Sequence, residues 1–484
     1  MNYRAVSILS LLMCLLLLVL ASPGLGVEAD AGSAGVDQLN GEVNDLITAE
    51  TPPASIMPSK PDSTRSCLPR YGEQQFILRV TDSAPYEYEP GLTAADFNGD
   101  GLEDVVITKM TFQSTETYKL DILLNDGKGS LKLATSSLFG GTVPAVQNPR
   151  QVVTADFNGD DIADIFVADH GYDVSPHPGY QNQLVLSAPN GRLEDATSNL
   201  PQQNDFSHSA CAADIDDDDD IDLYNGNIWG LNMIDPQILL NDGKGKFTIG
   251  KNRLPPLTSL NQNGYTTCAF GDVNKDGSPD LILGDAGDDI GNEHSTPISE
   301  VLLNNGSGIF THLPDAMPQK LVSSADIAHD IQPLNLNSDG YIDLLIVYEG
   351  WTGPLWQGSY IQALVNNKDG TFRDETATRL EALDRRVWIP SLELRDLDHD
   401  GDLDLLAFPW DDQDPDPLLF LNDGAGHFRQ RPLKFGLTYL NYTFLDLDGD
   451  DGHDMVMATF APPEDVYVIR DLGCPAFLPF ICRK

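Results

Sequence analysis

The sequence predicts an all-β fold, a seven-bladed β-propeller of four-stranded antiparallel blades. Three observations predict it. A nine-residue acidic loop recurs seven times, beginning at Asp96, Asp156, Asp214, Asp272, Asn335, Asp396 and Asp446. The starts are 60, 58, 58, 63, 61 and 50 residues apart, an internal repeat that overrides any domain count drawn from length alone. Short apolar, β-branched runs flank each loop, and a second turn follows in most copies. One four-stranded sheet of this size cannot bury enough surface alone, whereas seven packed around an axis can.

Residues 1–26 read as a secretory signal: Arg4, an apolar run from Leu9 to Leu20, then small residues ending at Gly26. The run is short for a transmembrane helix, and no other segment is long and apolar enough to cross a bilayer. Residues 27–66 are rich in Ala, Gly, Ser, Asp, Glu and Pro and read as a disordered linker. The propeller is expected over 67–484.

Within each repeat the grammar is constant. A β run such as Gly91–Ala95 leads into the acidic loop, and a second such as Val105–Ile107 leaves it. After a variable connection, a third strand ends in a turn of the type Asn125-Asp126-Gly127-Lys128-Gly129, which returns at 241–245 and 422–426 and more loosely at 304–308 and 366–370. A fourth strand, such as Lys246–Thr248, completes the unit. The seventh repeat has three strands, ending with Val466–Ile469, and lacks a fourth. The run Tyr71–Val80 resembles the missing strand. It is expected to complete the last blade, so that the ring closes without open edges.

The loops have the chemistry of a hard-cation site. Calcium takes six to eight oxygens in a tolerant geometry. Positions 1, 3, 5 and 9 carry 28 side chains, 23 of them Asp and five Asn. With the carbonyl of position 7 included, the expected ligands are Asp96, Asn98, Asp100, Leu102 and Asp104 in loop 96–104, and Asp156, Asn158, Asp160, Ile162 and Asp164 in loop 156–164. Loop 214–222 offers Asp214, Asp216, Asp218, Asp220 and Asp222, and loop 272–280 offers Asp272, Asn274, Asp276, Ser278 and Asp280. Loop 335–343 offers Asn335, Asn337, Asp339, Tyr341 and Asp343. With two carboxylates, it is expected to be the weakest site. Loop 396–404 offers Asp396, Asp398, Asp400, Asp402 and Asp404, and loop 446–454 offers Asp446, Asp448, Asp450, Gly452 and Asp454. Position 6 must turn sharply, and it is Gly at 101, 277, 340 and 401 and Asp at 161, 219 and 451. Up to seven calcium ions are expected. They would reduce the formal net charge from -45 to about -31, which still argues against nucleic acid as a partner.

This pattern resembles the FG-GAP (VCBS-type) repeats best known from the integrin α-subunit propeller. The Phe-Gly signature is degenerate, with Ala269-Phe270-Gly271-Asp272 its nearest form. The resemblance implies extracellular recognition or adhesion, with calcium as a structural ion.

Outside the signal there are five cysteines. Ring closure would bring Cys67 near Cys474 and Cys482, so a disulfide among these three is expected, either from Cys67 or between Cys474 and Cys482. Cys211 and Cys268, on inner strands of neighbouring blades, read as buried free thiols.

In such a blade the acidic loops and the Asn-Asp-Gly turns share one face. The second-to-third connections lie on the other, where loops vary and propellers place function. Trp229, Trp351, Trp356 and Trp410 fall in those connections, Trp388 falls just before the sixth loop, and His170, Tyr172, His177, Tyr180 and His294 lie in similar positions. The six candidate ligand-face residues are Tyr172, Trp229, Trp351, Trp356, Trp388 and Trp410. Exposed aromatics suit protein docking or sugar stacking.

No nucleophile elbow, zinc-protease motif, phosphate loop or dinucleotide fingerprint is present. The expectation is a monomeric, exported binding or adhesion module, secreted or held at the cell surface or in the periplasm, with an extracellular protein or glycan ligand. A lectin is the first alternative and a carbohydrate-active enzyme of the polysaccharide-lyase kind the second.

Overall fold

A computed structural model describes residues 42–44 and most of 71–472. The segments 80–87, 112–113, 229–233, 258–263, 286–298, 323–325, 353–354, 382, 384–386, 410–415, 434–438, 451 and 460–464 lie outside the description. The signal segment 1–26 therefore lies outside it, as does the linker 27–66 apart from Glu42–Asn44, which pair in parallel with Gln151–Val153.

Seven four-stranded antiparallel meanders form the ring. Blade 1 is Tyr88–Ala95, Asp104–Thr111, Asp121–Asn125 and Leu131–Leu133. Blades 2 to 6 repeat this order from first strands Pro149–Ala155, Ser207–Ala213, Tyr265–Gly271, Ile327–Leu334 and Glu393–Arg395. Blade 7 begins with Tyr439–Leu445 and takes its outer strand from the start of the ring. Gln75–Arg79 pairs antiparallel with Asp465–Ile469, as the sequence predicts. Each acidic loop joins the first two strands of its blade, and the first strands of blades 7, 1, 2, 3, 4 and 5 lie against one another in succession around the axis.

The core follows from this geometry. Seven apolar clusters occupy the seven blade interfaces, each drawn from two neighbours. The cluster of Leu92, Val105 and Ile107 with Leu445, Val456 and Val468 joins blade 1 to blade 7 and closes the circle. Position 2 of every acidic loop plugs into such a cluster. Phe97, Phe157, Ile215, Val273, Leu336, Leu397 and Leu447 are all buried.

One expectation fails in the core. Cys211 and Cys268 are not free thiols but form a disulfide between the inner strands of blades 3 and 4. Their Cα atoms lie 6.1 Å apart, because inner strands converge on the axis. The expected partners Cys67, Cys474 and Cys482 lie outside the described residues.

Candidate metal centres

Each acidic loop is a tight coil, and six of the seven have two left-handed residues, Asp451 lying outside the described residues. Position 6 has positive φ at Gly101, Asp161, Asp219, Gly277, Gly340 and Gly401, as its residue types predict. Position 4 does too in all seven loops, through Gly99, Gly159, Asp217, Lys275, Ser338, His399 and Gly449. These two reversals curl the chain around the side chain of position 1. Asp96 accepts amides from Gly99 at 2.8 Å and Gly101 at 2.8 Å, and Asp156 those of Gly159 and Asp161 at 2.7 Å each.

Position 9 is the structural node. In loop 96–104, Asp104 accepts the amide of Phe97 on one oxygen at 3.3 Å and that of Asn125 on the other at 2.9 Å. The same two-sided arrangement recurs at Asp164, Asp280, Asp343, Asp404 and Asp454. One carboxylate thus ties the loop's entry to the end of the third strand, and its remaining lone pairs face the loop. Burial pushes these carboxyls up, to about 7 at Asp104, Asp164, Asp222 and Asp280, about 8 at Asp404 and about 6 at Asp454, and neighbouring loop carboxylates add to the effect.

The three loops with Asp at all four ligand positions bring carboxylate oxygens together most closely. In the sets Asp214, Asp216, Asp218; Asp396, Asp398, Asp404; and Asp446, Asp448, Asp454, three oxygens lie within 4.8 Å of one another. Like charges held this close, part-buried and oxygen-only, form a donor set that suits a hard divalent cation. Loop 335–343 has two carboxylates among its four ligand positions. The Lys368 ammonium lies 3.2 Å from Asp339, and Lys275 sits over the Tyr341 ring at 4.1 Å. Protein cations also stand at two of the four-Asp loops, with Arg253 3.3 Å from Asp216 and Arg470 paired with Asp448.

On the opposite face the structure rearranges the expected aromatic surface. Trp388 is 2% exposed and meets the His329 ring edge-on at 5.8 Å, so it belongs to the interior. Trp351 and Trp356 stand on strands rather than a loop. They are ladder partners in a long hairpin of blade 5, Asp343–Thr352 with Leu355–Asn366. Tyr172 is half-buried. Trp229, Trp410 and His294 lie outside the described residues.

What this face gathers instead is a polar cluster beside the axis. Arg150 lies 3.7 Å from Asp173, and the Nδ1 atoms of His170 and His177 lie 4.0 and 3.5 Å from the same carboxylate. His208 stands edge-on to His170, with ring centroids 5.5 Å apart. Four of the chain's nine histidines, His170, His177, His208 and His329, belong to this region. His170 and His177 were legible as connection residues. Arg150, His208 and His329 were not, although each stands six residues before its acidic loop.

The FG-GAP-like repeat model matches residues 91–167 and 335–407, the acidic loops of blades 1, 2, 5 and 6 among them. Over those two stretches the ring is made of FG-GAP-like repeats. It is 28% identical to integrin alpha-V of Gallus gallus over 243 residues, 45% of this chain and 22% of that protein. The chain thus spans about a fifth of the length of the curated relative it matches. Among solved structures, the V. cholerae biofilm matrix protein Bap1 is 11% identical, with TM-score 0.40 over 84% of this chain and 91% of that one. The Neurospora crassa Pan2 WD40 domain is 11% identical, with TM-score 0.41 over 81% and 98%. Neither likeness bears on function. No helix of the described FG-GAP propeller is long and apolar enough to cross a membrane.

Proposed function

We propose that the chain is an exported, extracellular binding module whose ring is stiffened by calcium and whose opposite face meets a protein or glycan ligand. One observation carries the calcium reading: an oxygen-rich loop recurs in phase with every blade, and its four-Asp versions bring three carboxylate oxygens within 4.8 Å. The side chains at positions 1, 3, 5 and 9 and the carbonyl of position 7 would hold the ion. A bound ion supplies the positive charge that these clustered carboxylates lack. Because position 9 also anchors the third strand, cation binding is coupled to the stability of the whole inner hairpin. The likeness to integrin alpha-V supports a binding role rather than catalysis, and the signal-like N-terminus supports export.

The test has two arms. Excess EDTA should lower the melting temperature of the purified protein, and an unchanged melt would sink the calcium reading. The calcium-loaded protein should be retained on intact cell surfaces or on a glycan array, and retention on neither would overturn the binding reading.

A further inference from the structure

The first strands of five blades carry an irregularity at one shared position. The residue six before the acidic loop is skipped by the strand ladder at Arg150, His208, Thr266, His329 and Leu440. Such a bulge re-aims one side chain and is common beside functional sites. The fold does not require a polar residue there, because blades 1, 6 and 7 have Pro90, Pro390 and Leu440. In four consecutive blades, 2 to 5, it is Arg, His, Thr and His, and all four are buried. They converge. The charges of Arg150 and His329 both bear on His208, whose Nδ1 lies 3.2 Å from the Thr266 carbonyl.

The second-to-third connection of blade 2 completes the cluster with His170, Asp173 and His177. Neither ring nitrogen of His170 and neither carboxylate oxygen of Asp173 has a hydrogen-bond partner, although the two residues are 1% and 4% exposed. Buried polar atoms are normally hydrogen-bonded, so four such atoms in one place point to a ligand. Burial, with the charge of Arg150 beside it, holds the His170 imidazole well below its usual range and therefore neutral. It presents one donor and one acceptor, while Asp173 only accepts. The missing group must both donate and accept, as a hydroxyl does. A carboxylate has no proton for Asp173, a phosphate would bring a second anion against that carboxylate, and a metal ion would meet the Arg150 guanidinium 3.7 Å from it.

We propose that the axial mouth of blades 2 to 5 binds a sugar, whose hydroxyls complete His170 and Asp173. This rests on reading the face opposite the acidic loops as the binding face. His177, with 27% of its side chain exposed, connects the cluster to solvent. Phe206, its ring centroid 3.5 Å from that of His170, supplies an apolar wall.

The calcium-loaded full chain would be titrated with glucose, galactose, mannose and N-acetylglucosamine by calorimetry and saturation-transfer NMR. At least one should bind saturably. Asp173→Asn should weaken that binding tenfold or more, and His177→Gln several-fold. Should Asp173→Asn fail to fold, His177→Gln, nearer the surface, carries the test. Binding of none of the four sugars, or unchanged affinity in the folded variants, overturns the proposal. If the wild type still holds to cell surfaces or a glycan array in that case, only this placement falls. If it holds to nothing, the binding reading falls with it.

Discussion

The side-chain amide of Asn366 donates to the backbone carbonyl of Val273, 93 residues earlier, at 2.7 Å. Asn366 ends the third strand of blade 5, and Val273 is the buried second residue of the acidic loop in blade 4. The same stitch joins Asn241 to Phe157 and Asn304 to Ile215, and Asn125 reaches the carbonyl of Asp446, the first residue of its loop. The asparagine that marks a turn in the sequence is thus also the clamp between one blade and the one before it.

Asn366→Ala should therefore cost more than a surface turn residue. It strands the buried carbonyl of Val273 and also removes the acceptor for the amides of Lys368 and Gly370. A loss of about 1–3 kcal/mol is expected in urea denaturation. A change within experimental error would show that water replaces the clamp.

Calcium should be distributed unevenly. Asp398→Asn removes a buried carboxylate from one of the three tightest clusters, and it should lower bound calcium by one ion per chain and shrink the stabilisation that calcium gives. Asp339→Asn, in the loop with two carboxylates among its four ligand positions, should change neither. Metal analysis after dialysis, paired with melts in calcium and in EDTA, reads both. Equal effects of the two substitutions would contradict the ranking.

The link between Cys211 and Cys268 closes a loop with a sequence separation of 57 and crosses a blade interface. Replacing both with serine should cost about 2–4 kcal/mol of stability. Peptide mapping without reductant should recover the two cysteines in one linked fragment. Separate alkylated peptides would disprove the pairing.

Asp205 gives the ring a pH dependence outside the acidic loops. Burial pushes its carboxyl up to about 7, although the amides of Asn182, Gln203 and Asn225 all donate to one of its oxygens. The folded state thus holds a proton that the unfolded chain releases near its ordinary value of about 3.9. The unfolded state binds fewer protons over that interval, so stability from this group is full below about pH 4 and falls until about pH 7. Asp205→Asn should remove that decline. Melts of wild type and variant at pH 5 and 8, in matched calcium, should differ more at pH 8. An equal difference at both values would exclude the effect.

Local signals made much of the fold legible. The loop composition, its period and the flanking β runs are properties of contiguous residues, and they sufficed for seven blades. The closing strand Gln75–Arg79 was legible because the last repeat lacked the one element that the first segment supplied. The left-handed position 6 followed from Gly and Asp. Position 4 was missed because, although it is Gly at 99, 159 and 449 and Asp at 217, Lys275, Ser338 and His399 break the pattern.

Pairings between blades were not legible. The Cys211–Cys268 disulfide, the interior place of Trp388 and the cluster of Arg150, Asp173 and His208 each join residues tens of positions apart. Sequence alone determined the repeat, the hairpin grammar and the donor chemistry of the loops, because those depend on side-chain type and on spacing within one turn of chain. Tertiary structure alone decided which side chains meet at the axis. Bending the repeat into a closed ring brings the same position of successive blades together, and a one-residue bulge then turns that position inward.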